Sequence, residues 1–296
     1  MMVNNAPNRS AVRSRGASAM SKTVFITGAS SGIGAGLARE YARRGARLAL
    51  LARRVDLLEG LAAELSSLGA EVSVHQGDVT RDGDVGRALD ELAGRGIGVD
   101  IVYANAGFGV AGSVQRLTLE DYRRQFETNV FGLLRTVKES LPALRASRGQ
   151  LVLVGSVAGH VASPGMSAYS MSKFAVRALA ETLHGDFAPE GISVTLVSPG
   201  FVDSDIRRTN NQGVVQPSAT DPIPAWLRVG TAAAAREIVR GVERRRAEVV
   251  VTRHGKLIVF FGRHFSGLLR LLGRRMYRGR PEPQAGSTPA QPGGRT

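Results

Sequence analysis

The chain has 296 residues, enough for one large α/β domain with a substantial buried core, and its 43% hydrophobic and 22% charged residues are ordinary for a globular protein. It contains no cysteine, which excludes disulfides, thiolate nucleophiles and cysteine-ligated zinc and fits a reducing compartment such as the cytoplasm. The net charge of +14 sits at the ends: residues 1–22 carry four basic side chains and no acidic ones, residues 236–280 carry 13 basic and three acidic, and residues 23–235 balance 21 against 21. A neutral body with basic ends points to a membrane surface or an acidic partner and argues against nucleic acid.

Residues 1–21 lack apolar periodicity and are expected to be a disordered basic tail without the apolar stretch of a secretory signal. Arg9, Arg13 and Arg15 without acids also fit a mitochondrial presequence, and Met20 is an alternative start. From Thr23, apolar runs at 23–27, 47–52, 71–75, 100–104, 150–155 and 192–198 alternate with helical patterns at 32–44, 55–68, 81–94, 118–146 and 167–188. Such alternation marks βαβ units, hence a doubly wound parallel sheet with helices on both faces, forming a single α/β domain over 22–254. Gly213, Pro217, Pro222 and Pro224 break the rhythm, so 201–230 reads as a loop with short helices that would shape a substrate pocket together with Phe108–Val114.

A helix around 231–246 and a β-rich run at Val249–Val251 follow. Residues 255–280 then read as a basic amphipathic helix. Within 256–278, Phe261, Phe265, Leu268, Leu269, Leu272 and Met276 share one face and Lys256, Arg263, Arg270 and Arg274 the other. Arg263 and Arg270 interrupt the apolar run, so no spanning helix is expected. Two readings stay open for this helix: packing on the protein's own core or a partner subunit, or lying on an anionic membrane surface. The Pro/Gly/Ser-rich residues 281–296 read as a disordered tail.

The first apolar run leads into Thr27-Gly28-Ala29-Ser30-Ser31-Gly32-Ile33-Gly34 and a helix. Glycines let the backbone approach a pyrophosphate, and the helix N-terminus offers N–H groups and positive dipole. The second run ends at Arg53-Arg54, without the acidic residue that would bind the ribose 2′-OH of NAD. A guanidinium there can pair with a 2′-phosphate, so NADP(H) is expected over NAD(H), with Arg53 ahead of Arg54. The bland alternative is that both arginines are solvated. Tyr169 and Lys173 are spaced i, i+4 and so share a helix face, where an ammonium would lower the pKa of a phenol. The five histidines lack metal-ligand spacing and none is assigned to metal or catalysis.

In order and spacing, the glycine motif, Gly77-Asp78-Val79-Thr80, Asn105-Ala106-Gly107, Asn129, Ser156, Tyr169, Lys173 and Pro199-Gly200 make residues 23–205 resemble the short-chain dehydrogenase/reductase family, which has a Rossmann-type fold. The resemblance implies that Tyr169 gives its proton to a carbonyl oxygen as hydride arrives, and that Ser156 polarises that oxygen. Lys173 would lower the phenol pKa and hold the nicotinamide ribose, and Asn129 would help hold a water that relays protons to Lys173. It further implies that Asp78 and Val79 border the adenine, that Asn105, Ala106 and Gly107 lie at the adenosine ribose, and that Pro199, Gly200, Val202 and Ser204 shape the nicotinamide pocket. Asp78 could instead cap a helix near Arg81, Asn105 could stabilise a turn, and Asn129 could be a structural amide. The expected activity is NADPH-dependent reduction of a ketone or aldehyde, or the reverse alcohol oxidation, on a small-molecule substrate, with lipophilic carbonyls among the candidates. The resemblance also implies a homodimer or homotetramer. The rival is a non-catalytic NADP-binding sensor or scaffold, against which the intact Asn129, Ser156, Tyr169 and Lys173 set argues.

Overall fold

The computed structural model describes residues 22–265 and 267, apart from 217, 219 and 222. The expectations for 1–21, for 281–296 and for most of the amphipathic helix beyond Phe265 lie outside the described residues. Seven strands form one sheet in the order β3-β2-β1-β4-β5-β6-β7, every neighbouring pair parallel. They are β1 (Thr23–Thr27), β2 (Arg47–Ala52), β3 (Val72–Gln76), β4 (Ile101–Ala104), β5 (Gln150–Val154), β6 (Ser193–Pro199) and β7 (Glu248–Val251).

The central strands are apolar along their length because both faces are covered. Val24, Ile26, Leu48 and Leu50 face one core, against helices α1 (Gly32–Ala42), α2 (Val55–Ser67) and α7 (Thr231–Glu243). Phe25, Ala49, Leu51 and Val102 face the other, against α3 (Asp84–Gly94), α5 (Leu133–Ser147) and α6 (Ser167–Phe187). Each fully buried leucine or isoleucine in these layers contributes about 1.5–3 kcal/mol. The strand order reverses between β1 and β4, and the crevice at their carboxyl ends is where such a sheet binds its ligand.

One expectation needs correction. The helix at 118–146 is interrupted: α4 (Leu119–Phe126) and α5 are joined by a π-helical segment, Glu127–Gly132, that contains Asn129. Helical periodicity does not reveal this, because a single wider turn leaves the apolar pattern on either side helical. The last described helix, α8 (Arg253–His264), packs on the body through Gly255 and Val259, while Phe261 and Phe265, the described members of the expected apolar face, are exposed.

Candidate active site

The turn after β1 brings the glycine motif to the mouth of the crevice. Gly28 has φ +65°, and a Cβ on it would lie 2.7 Å from the Ala106 Cα. A Cβ on Gly34 would lie 2.4 Å from the Gly28 carbonyl oxygen. These two positions therefore require glycine. Ser31 and Gly32 lead into α1 without a side-chain cap, so the first-turn N–H groups around Ile33 are directed to the crevice. Ser204, from the 201–230 loop, packs beside Gly32, and its hydroxyl donates to the Val202 carbonyl at 3.4 Å.

Thr27 organises the turn from below. Its hydroxyl donates to the Tyr103 carbonyl at 3.1 Å and accepts the N–H groups of Asn105 at 3.0 Å and Ala106 at 3.2 Å. The Asn105 amide donates to the carbonyls of Thr27 at 2.9 Å and Gly28 at 3.2 Å. Asn105 thus braces the glycine turn. Asp78 accepts from the backbone N–H of Thr80 at 3.0 Å and from its hydroxyl at 2.8 Å, closing the turn ahead of α3. Val79 is buried under Gly132. Arg53 lies 3.8 Å from Asp78 with its side chain 67% exposed, and Arg54 donates to the hydroxyls of Ser30 at 3.1 Å and Ser31 at 3.0 Å. Both guanidinium groups flank the motif, Arg54 being the one that touches it.

Ser156, Tyr169 and Lys173 meet beyond the ends of β5 and β6. Ser156 caps a short 3₁₀ turn, accepting from Ala158 N–H at 3.1 Å, and its hydroxyl lies 3.5 Å from the Pro199 carbonyl. Tyr169 and Lys173 share one face of α6, with the Lys173 Nζ 5.8 Å from the phenol ring centre. Lys173 is buried and donates to the Val154 carbonyl at 2.9 Å, and burial lowers its pKa to about 8. Burial also raises the Tyr169 pKa, opposed by the Ser156 hydroxyl and by the positive charge of Arg207. The acidified phenol expected from the spacing is therefore not what the chain by itself sets: desolvation outweighs the neighbouring charges, and the charge acting against it is Arg207.

Asn129 is buried, accepts from Phe108 N–H at 3.0 Å, and donates to the Phe108 carbonyl at 3.0 Å and the Ser172 hydroxyl at 3.2 Å. It fixes the Gly107–Phe108 segment against α6; a Cβ on Gly107 would lie 3.0 Å from its Oδ1. Gly200 and Val202 are held in the loop after β6, Gly200 through its N–H to Val251 at 3.3 Å and Val202 through the Arg207 guanidinium at 2.9 Å.

Several contributors carry no sequence signal. Arg207 forms a half-buried ion pair with Asp221 at 2.7 Å that ties the 201–230 loop to itself, and Ile206 approaches Tyr169 across Gly109. His254 Nε2 accepts from Phe201 N–H at 2.9 Å, and its ring stacks on Phe201 at 5.1 Å. These pairs join positions brought together only by the return of the chain.

A sequence profile described as short chain dehydrogenase matches residues 22–214. An uncharacterized oxidoreductase of Myxococcus xanthus is 41% identical over 194 residues, covering 64% of this chain and 76% of that protein. An 11-beta-hydroxysteroid dehydrogenase A of Sesamum indicum is 38% identical over 187 residues, 62% of this chain; the match spans about half of that relative, 53%. The structure of an alcohol dehydrogenase of Thermococcus sibiricus complexed with 5-hydroxy-NADP superposes with a TM-score of 0.69 at 32% identity, covering 78% of this chain and 95% of that one. With the seven-stranded sheet and the crevice already described, these likenesses identify the chain as a member of the short-chain dehydrogenase family, an oxidoreductase acting on CH–OH groups with a nicotinamide dinucleotide.

Proposed function

We propose that the chain reduces a ketone or aldehyde with NADPH, or oxidises the corresponding secondary alcohol, using Tyr169 as proton donor and acceptor. The observation that carries this reading is the convergence of the Ser156 hydroxyl, the Tyr169 phenol and the buried Lys173 at the carboxyl ends of β5 and β6. The crevice fits the cofactor: uncapped N–H groups at the start of α1 suit a pyrophosphate, and Arg53 and Arg54 suit a 2′-phosphate. Bound NADPH supplies the hydride.

The protein's own part is proton transfer and positioning. Ser156 donates to the carbonyl oxygen and polarises it, and Tyr169 delivers the proton to the same oxygen. Lys173 places its positive charge beside the phenol, favouring the phenolate left behind. Asn129 holds Gly107–Phe108 and, through this, a relay water near Lys173. Asp78 and Val79 border the adenine end, and Asn105, Ala106 and Gly107 line the middle of the cleft. Pro199, Gly200, Val202 and Ser204 close the nicotinamide end. The exposed Phe131, Met171 and Phe174 support self-association, which we assign to a homodimer or homotetramer in the cytoplasm. The basic segment 256–278 suits an anionic membrane surface, which would favour a lipophilic carbonyl.

Tyr169→Phe tests the reading. It should abolish reduction of a panel of ketones of graded chain length, followed by NADPH absorbance, while NADPH affinity stays within about twofold. Full turnover in that variant would refute Tyr169 as the proton donor, and a parent chain that binds NADPH but reduces none of the ketones would favour the sensor or scaffold alternative.

A further inference from the structure

We propose that the outward pole of α8, formed by Leu257, Phe260 and Phe261 and continued by Phe265, is the surface that inserts into the interface of an anionic lipid bilayer. The proposal rests on the membrane reading of segment 256–278 and gives it a docking surface; it does not depend on turnover.

The inner face of α8 is already satisfied. Gly255 and Val259 are buried, and Gly262 sits so close to the segment after β5 that a Cβ on it would lie 2.5 Å from Val161 Cγ2. Thr252 caps the first turn, accepting from Gly255 N–H at 3.1 Å. Two ion pairs hold the flanks: Lys256 with Glu237 of α7 at 2.6 Å, and Arg263 with Glu248 of β7 at 2.6 Å. The helix is therefore fixed to the body with its large apolar groups turned out. Leu257 is 60% exposed, Phe260 51%, Phe261 39% and Phe265 47%. The aromatic rings touch one another, Phe260 and Phe261 at 5.6 Å and Phe261 and Phe265 at 5.7 Å between centres, so they make one contiguous patch. A contiguous patch of this kind on a rigid element marks a binding surface rather than scattered surface hydrophobes.

Charge selects the partner. Residues 253–280 carry eight Lys and Arg and no Asp or Glu. Exposed Arg240, Arg244 and Arg246 lie with Lys256 around a hollow beside α8 that also includes Glu237 and Glu248. A second copy of the chain would have to meet these cations with a body whose charges balance, whereas an anionic leaflet offers uniform negative charge above an apolar interior. No described helix is long and apolar enough to cross a membrane, so the contact is interfacial. The same helix begins at the reaction cleft: His254 in its first turn holds Phe201, next to Gly200 and Val202. Docking through α8 would thus bring the cleft to the depth from which a lipophilic carbonyl is drawn.

The test uses the full chain and flotation with vesicles of phosphatidylcholine alone or mixed with phosphatidylglycerol. Binding should require the anionic lipid and weaken as salt rises. Phe260→Ser/Phe261→Ser should weaken partitioning at least about tenfold, with melting temperature and oligomeric state unchanged. A second variant, Phe260→Trp in a Trp226→Phe background, carries one indole and should shift its emission to the blue on vesicle addition. The proposal is overturned if the intact chain ignores anionic vesicles, if the serine variant binds as well as the parent, or if that variant splits an oligomer. Vesicle binding without carbonyl reduction would leave docking standing and remove the reductase reading; the reverse result would do the opposite.

Discussion

Replacing Arg53 and Arg54 by alanine probes the choice of dinucleotide at the point where the chain departs from an acidic ribose ligand. Among the described residues, Arg53 pairs only with Asp78, at 3.8 Å and with 67% of its side chain exposed, so the existing pair contributes at most about 1 kcal/mol and is readily exchanged for a phosphate. Arg54 donates to the neutral hydroxyls of Ser30 and Ser31, at 3.1 and 3.0 Å. A charge-assisted contact to a 2′-phosphate is worth about 1.5–3 kcal/mol. Exposure and salt reduce this to about 1.5 kcal/mol per arginine. At about 1.4 kcal/mol per tenfold, Arg53→Ala should weaken NADPH by about tenfold and the double variant by about one hundredfold. NADH has no 2′-phosphate, and its affinity should stay within about twofold. Calorimetric titration of both nucleotides at physiological ionic strength reads the ratio directly. An equal loss for the two, or a parent enzyme that prefers NADH, would refute the 2′-phosphate assignment.

Asp221→Asn leaves the half-buried Arg207 guanidinium without its carboxylate and frees the 201–230 loop; limited proteolysis within the loop should accelerate and the KM for substrate should rise several-fold. Gly28→Ala forces a side chain into φ +65° and toward Ala106, at a combined cost of about 2–4 kcal/mol, visible as a fall in melting temperature and loss of dinucleotide binding. Glu248 has a pKa of about 2: burial pushes it up, and bonds from His160 and Arg263 outweigh that. A carboxyl depressed in this way stabilises the fold above its ordinary value near 4.5 and loses that contribution as pH falls toward 2. Glu248→Gln should therefore cost about 2 kcal/mol in urea unfolding at neutral pH. The gap should close as pH falls below about 4.5 toward 2, and a gap undiminished in that acidic range would sink this account.

The sheet and its two helical layers were legible because each element writes its own environment into its residues. Strands buried on both faces are apolar throughout, as in Leu48–Ala52. The glycine turn was equally plain, since Gly28 and Gly34 occupy places that no side chain fits. Helix geometry alone puts Tyr169 and Lys173 on one face. The spacing pointed to a lowered proton affinity at Tyr169, and burial moves it the other way. The balance depends on burial, on Ser156 from the end of β5 and on Arg207 from a loop after β6.

The π-helical segment at Asn129 escaped the same reading, as did the bond of Asn129 to the backbone of Phe108, which lies on another connection. The pairs Arg207–Asp221 and His254–Phe201 are likewise absent from any periodic pattern. Sequence by itself determined the elements, their order and the residues able to do chemistry. Only tertiary structure decided what each side chain binds, which of α8's apolar residues are buried, and how desolvation and charge balance at the phenol. Periodicity reports the environment of one segment, whereas partners and local dielectric come from segments distant along the chain.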